Sequence, residues 1–365
     1  MFSSYFTGSI AKSTRQLINT LRDDSASQTK INKAWQSFVA ATKHAKTKEV
    51  EEAIDSLASL ISFENLNQAA VITLICGNLF EFGYRSIKYS FILLNYCKQV
   101  FEIAMPSLQF LKETAESINA QDEDDNGEYD EYAALAVIKE DRKKTHPREM
   151  IAVEVLDKYY PGVIAVFSSM PELIPSARNE MNGISLYTEI NEGCYWISTL
   201  LSVLINEPLL VINTTNNTGI IAEMSGVADN AQLQLLLMGM HELKPLQMLE
   251  DKYLKIVRGE GEQTINTSII GLWNLNNWEI LRFETEDINT NINKYNKYWI
   301  WSEGTPANIA VYDNYRVVVL TKAPFKRSLQ IQRSFKALKS SIQVKQILLE
   351  GEVLEWIRKM KTTTF

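Results

Sequence analysis

Apolar residues recur at helical spacing through the first third of the chain. The clearest stripe is Val50, Ala53, Ile54, Leu57, Leu60 and Ile61, which fall on one face with Glu49, Glu51, Glu52 and Asp55 opposite. Similar patterns predict helices over 7–22, 29–46 and 65–82, the last stopped by Gly83. Another is expected over 84–105, where Pro106 should break the helix and open a sixth. Helix pairs therefore repeat every ~36–41 residues, near the pitch of helical-hairpin repeats. No side-chain signature recurs in step, which weighs an antiparallel bundle above a true repeat.

The pattern changes beyond about Gly183, where short β-branched and aromatic runs alternate with Asn, Gly and Pro. Residues 186–205 read as one more buried helix. Residues 209–213 and 220–224 read as a hairpin around an Asn- and Thr-rich turn. Asp229 with Gln232 three positions later predicts a capped helix start. A further helix should begin at Pro245 and stop at Gly259. Strands are expected at 268–273 and 278–283 around the turn-like 274–277, and again at 298–302 and 310–320. The end reads strand (316–321), helix (328–340), strand (342–348), helix (352–360). If its two strands share a sheet, they should run parallel.

The fold class that follows is α+β: a mostly helical N-terminal half, then a mixed α/β domain ending in a β-α-β-α unit. Between them, 121–131 carries seven acids and Lys139, Arg142, Lys143, Lys144 and Arg148 follow. A second irregular junction is expected at 161–175. These features divide the chain into a helical domain (1–120), an acidic linker with connecting helices (121–182) and the mixed domain (183–365).

Composition narrows the class. The 365 residues are 45% hydrophobic and 22% charged, which suits a globular protein of two or more domains. Three cysteines far apart suit reduced, buried thiols in a cytoplasmic setting. The opening Met-Phe-Ser-Ser-Tyr-Phe is not an export signal, and no apolar run reaches the ~18 residues of a spanning helix, so no membrane partner is expected.

Motifs are sparse. Asp122 to Gly127 matches the start of a calcium-binding loop, but its twelfth position is Ala133 where a bidentate Glu is needed. His44, His146 and His241 share no ligand spacing with each other or with a cysteine. Phosphate-binding glycine loops and nucleophile elbows are missing. No catalytic residue, metal or cofactor is therefore assigned, and the weight lies against an enzyme.

Two clusters remain. Trp273, Trp278, Trp299 and Trp301 fall in one window. Sheet core is their first reading and a partner surface the second. Residues 322–361 carry ten basic and three acidic residues in a chain whose net charge is −7. Within them, Lys322, Lys326, Arg327 and Arg333 occupy a segment leaving a strand, where an anion or an acidic partner fits. Nucleic acid fits poorly with so acidic a remainder. These features point first to a cytoplasmic, non-enzymatic protein that binds another protein, such as a bacterial regulator or a toxin-neutralising immunity protein. The alternative is an enzyme or a binder of a small anion or phosphate through the 322–333 loop.

Overall fold

The computed structural model describes residues 9–23, 25–62, 64–122, 131–283 and 292–363. The chain forms two compact units, Met1–Leu201 and Ser202–Phe365, the first helical and the second a mixed sheet with helices. The α+β class read from the sequence is the observed one. Among the described residues no helix is long and apolar enough to cross a membrane.

The helical unit contains α1 (Ile10–Arg22), α2 (Gln28–Thr42), α3 (Thr47–Ala58), α4 (Leu66–Glu81), α5 (Ile87–Asp122), α6 (Glu131–Thr145), α7 (Pro147–Ser169), α8 (Ile174–Glu180) and α9 (Glu192–Leu201). In α3, Val50, Ala53, Ile54 and Leu57 are buried as their spacing predicts, and Glu49 caps the helix by accepting from the Lys46 N–H at 2.8 Å. Asn65 caps α4 from the N-cap position, its side chain accepting from the Gln68 N–H at 3.0 Å. Helix α7 packs against α4, α5, α6 and α9. One helix with four such neighbours is a bundle, unlike the neighbour-on-neighbour stacking of a repeat.

Pro106 does not break the chain as the sequence suggests. Helix α5 runs through it, and α7 likewise runs through Pro161. Both prolines face solvent, so water can satisfy the carbonyls that lose a donor. Burial of Ala104, Ser107, Leu108 and Leu111 on the other face carries α5 across the interruption. In α7, burial of Gly162, Val163, Ala165 and Val166 does the same. Residues 123–130 of the acidic run, including most of the calcium-like loop, lie outside the described residues.

The expected helix over 186–205 begins only at Glu192. Asn191 caps it, accepting from Cys194 N–H at 2.9 Å and donating to the Val153 carbonyl at 3.2 Å. Asp157 of α7 also accepts from the Gly193 N–H at 2.9 Å. These bonds tie 191–201 to the helical unit.

In the second unit, β1 (Glu207–Asn213) and β2 (Thr218–Ser225) form the expected hairpin. The remaining strands are β3 (Thr264–Ile270), β4 (Trp273–Asn276), β5 (Val311–Tyr312), β6 (Tyr315–Lys322), β7 (Ser328–Gln332) and β8 (Ser341–Leu348). The main sheet has the order β4-β6-β1-β2-β8, with β5 folded back on β6, while β3 and β7 pair separately. Strands β1 and β6 are parallel; the other pairings in the sheet are antiparallel. It follows that β6 and β8 run in the same direction, though β1 and β2 separate them.

Alternation along β1 and β6 covers both faces of the sheet. Leu209, Val211, Val318 and Leu320 pack with α10 (Asn230–Met238) and α11 (Asp251–Val257). Leu210, Ile212, Val317 and Val319 pack with Trp278, Ile280, Tyr295 and the C-terminal helix α12 (Glu350–Thr362). Asp229 caps α10 as predicted, accepting from Gln232 N–H at 2.8 Å. The helix expected from Pro245 starts later, at Asp251.

Three local expectations fail, each for a readable reason. Residues 328–340 are not a helix but β7 followed by irregular chain. Leu329, Ile331, Phe335 and Leu338 fit a helical stripe from Ile331 onward, yet Leu329, Ile331, Arg333 and Phe335 alternate inward. The terminal unit is therefore strand, strand, strand, helix. Residues 274–276 lie within β4, not in a turn, and 278–282 form a 3-10 helix instead of a strand. The run 310–320 is divided at Asp313 and Asn314, both with positive φ, as a two-residue hairpin turn requires.

Candidate functional site

The parallel strands β1 and β6 end side by side, at Asn213 and Lys322. A cavity of about 300 Å³ opens there. This is where open α/β sheets place ligands, beyond the carboxyl ends of parallel strands. Its volume lies at the lower end of small-molecule pockets.

One rim is polar. Thr214 and Thr215 follow β1, Asn274 belongs to β4, and Thr321 and Lys322 close β6. Hydrogen bonds fix this rim. Thr214 donates both its N–H and its hydroxyl to the Leu320 carbonyl, at 3.1 and 3.0 Å. The Asn213 side chain accepts from the Thr215 N–H and hydroxyl, at 3.1 and 2.6 Å. Asn274 donates to the Asn276 side-chain oxygen at 2.9 Å, and Asn276 in turn donates to the Thr321 hydroxyl at 2.9 Å. Asn276, which looks like a turn former in the sequence, is thus a cross-strand link inside the sheet, and Asn274 bonds to it from the same strand.

The opposite wall is apolar: Ile280, Leu281, Phe283, Tyr295, Trp299 and Ile357. The rings of Phe283 and Tyr295 lie 4.8 Å apart. Lys361 of α12 joins Lys322 at the lining. Neither lysine forms an ion pair among the described residues, and the described lining contains no carboxylate.

The four basic residues singled out in the sequence have separate fates. Lys322 lines the cavity. Lys326 is exposed and stands outside the lining. Arg327 lies over three rings, 4.8 Å from the Trp299 centroid, 5.1 Å from Trp301 and 4.8 Å from Phe325. Burial pulls its pKa below the usual arginine value while Glu303 opposes that shift, and the guanidinium stays charged. Arg333 is only 4% exposed and spends its donors on backbone carbonyls, so the fold does not offer it to a ligand.

The tryptophans also part company. Trp273 is buried with the α10 face of the sheet and Trp278 with the α12 face. Trp299 is 8% exposed and lines the cavity, whereas Trp301 is 49% exposed. Their rings lie 5.3 Å apart, although the strand expected there is reduced to a single bridge between Asn276 and Trp299. The structure therefore joins Arg327 of the basic group to Trp299 and Trp301 of the aromatic group. Sequence reading missed Lys361, Asn274 and the Phe283–Tyr295 wall. Only the fold brings these segments together.

No family model, curated protein or solved structure matches this chain. The functional reading rests on the site itself.

A second depression, of about 380 Å³, lies between α1 and α3 of the helical unit. Its charged lining is Arg15 with Glu49 and Glu52, and Glu49 is already engaged in capping α3. Opposed charges leave it without the single-signed character of the first. Among the described residues, no group of three or more His, Cys, Asp or Glu is placed to hold a metal ion.

Proposed function

We propose that the C-terminal unit is a receptor for a small anionic ligand, held in the cavity at the ends of β1 and β6. One observation carries this reading: two lysines from different elements line a cavity with one polar rim and one apolar wall, in which no described carboxylate neutralises them. Ammonium groups act as point charges for carboxylate or phosphate oxygens. The threonine hydroxyls and the Asn274 amide add hydrogen-bonding groups, and the apolar wall removes water from the ligand's body. Among the described residues no side chain at the rim is arranged as a nucleophile with its base, so the reading is binding and not catalysis.

A thermal-shift series with inorganic phosphate, sulfate, benzoate and phenyl phosphate tests it. At a hundredfold excess over Kd, a bound anion stabilises the fold by ~2.7 kcal/mol. The Lys322→Gln/Lys361→Gln variant should stay folded and lose that shift, with affinity down about tenfold or more. No shift with any anion, or equal shifts in the variant, would refute the proposal.

A second reading, binding of another protein, has its own support in the helical unit. Ile87 and Phe91 share one face of α5 at i,i+4 spacing, and Phe82 precedes them; all three are more than half exposed. A cytoplasmic regulator or an immunity protein would use such a face, and three buried free cysteines suit a reducing compartment. Replacing Phe82, Ile87 and Phe91 with Glu should leave helicity unchanged and abolish co-purification of the partner. Retention of the same partner by the triple variant would remove this reading.

A further inference from the structure

Arg327 is held in an unusual way. Its guanidinium is packed among the rings of Trp299, Trp301 and Phe325, and one terminal nitrogen, Nη2, is buried without a hydrogen-bond acceptor among the described residues. Glu303 acts on it electrostatically, but no ion pair with a described carboxylate holds it. It is kept against π faces, and the ring it shares with the cavity is Trp299. Arg327 itself does not line the cavity. Trp301 and Phe325 hold the guanidinium in place, and the guanidinium in turn holds Trp299.

That arrangement has a chemical consequence for the cavity. A cation on an indole draws electron density toward itself, so the ring becomes a poorer site for a second cation and a better one for an electron-rich ring. Phe283 and Tyr295 continue the same aromatic wall, and Lys322 and Lys361 supply positive charge at the same cavity. The lining thus matches a flat ring at one end and an anionic group at the other.

We propose that the ligand is a planar aromatic anion, an aryl carboxylate or aryl phosphate, and that Arg327 is a positioning residue that fixes Trp299 as its stacking wall. This rests on the anion-binding reading above and adds the ring to it. Saturated anions of the same size and charge satisfy the lysines but not the wall, and aromatic cations satisfy the wall but not the lysines.

Titration calorimetry on the full chain separates these possibilities. Benzoate is compared with cyclohexanecarboxylate, phenyl phosphate with cyclohexyl phosphate, and benzylamine serves as the aromatic cation. Wild-type protein should prefer each aryl anion over its saturated counterpart about fivefold or more, the scale of one aromatic stacking contact. The carboxylate and phosphate pairs show which anionic group the two lysines favour. Benzylamine should not bind. Arg327→Gln should reduce the aryl preference to about twofold or less, Arg327→Lys should restore part of it, and the neighbouring Lys326→Gln should leave it unchanged. The last variant removes the same charge without the stacking, so it controls for simple electrostatics. Equal affinity for aryl and saturated anions would overturn the aromatic assignment while leaving anion binding intact. An aryl preference that survives Arg327→Gln would overturn the role of Arg327. Failure of every anion to bind would instead fall on the underlying reading.

Discussion

Arg333→Met is expected to destabilise the C-terminal unit by about 3–5 kcal/mol, although Arg333 sits in a basic stretch that looks like solvated surface. Its guanidinium donates to the carbonyls of Ile256 at 2.8 Å, Glu262 at 2.6 Å, Gly261 at 3.0 Å and Lys336 at 3.1 Å. It therefore pins the 256–262 turn to the chain after β7. The backbone reinforces this, with Arg333 N–H donating to Gln263 O at 3.1 Å and the Gln263 side chain returning bonds to the Arg333 and Ser334 carbonyls. Methionine fills the volume but takes the guanidinium from all four carbonyls, of which, among the described residues, only Ile256 O keeps a backbone donor, the Gly259 N–H at 3.0 Å. Lysine should rescue little, since a single ammonium lacks the planar fork that reaches several acceptors at once. Urea midpoints, with amide exchange over 256–262 and 333–336, measure the effect. A loss below about 1 kcal/mol would mean that water replaces the guanidinium without difficulty.

The second large effect is expected in the helical unit. Gly77 of α4 and Gly162 of α7 face each other where the two helices meet. A β-carbon on Gly162 would stand 2.4 Å from the Thr73 carbonyl oxygen, and one on Gly77 would stand 2.5 Å from Gly162 Cα. Neither obstacle is a side-chain end that can swing away. Gly162→Leu should therefore force α4 off α7, at about 3 kcal/mol or more, the upper end of overpacking costs. Gly162→Ala should cost less, because it adds a single methyl, while the ~1 kcal/mol of helix propensity regained over glycine is nearly the same for both variants. Once the first alanine has parted the helices, Gly77→Ala should add little, so the double variant should lose less than the two single losses combined. Additive losses would show that the two glycines do not share one contact.

Where burial followed a single period, the sequence was legible. The α3 stripe, the Asp229 cap and the β1–β2 hairpin stand where their residues predict. Errors came where two patterns overlapped or where tertiary contacts overrode a local preference. Leu329 to Leu338 satisfied a helical and a strand period at once. The inward place of Arg333, alternating with Ile331 and Phe335, was the available sign that this cation is structural. Pro106 and Pro161 were read as breaks because a sequence does not say which side of a helix faces water. Asn274 and Asn276 were read as turn formers, yet both lie in β4, where the Asn276 side chain reaches β6 and Asn274 bonds to Asn276.

The candidate site divides in the same way. Lys322 was legible, since a cation at the end of a predicted strand is a recognisable ligand position. Lys361 lies 39 residues further on, beside Arg358 and Lys359 at the end of a helix, and nothing local distinguishes it from Lys359. The cavity wall comes from three separate segments, 280–283, 295–299 and Ile357 of α12. No spacing in the sequence connects them.

A structure of the protein bound to phenyl phosphate tests the central claim most directly. The account predicts the phosphate within hydrogen-bonding distance of both Lys322 Nζ and Lys361 Nζ, roughly 2.7–2.9 Å from each, with the phenyl ring against Trp299. Phosphate at any other basic cluster, or an empty cavity at saturating ligand, would contradict it.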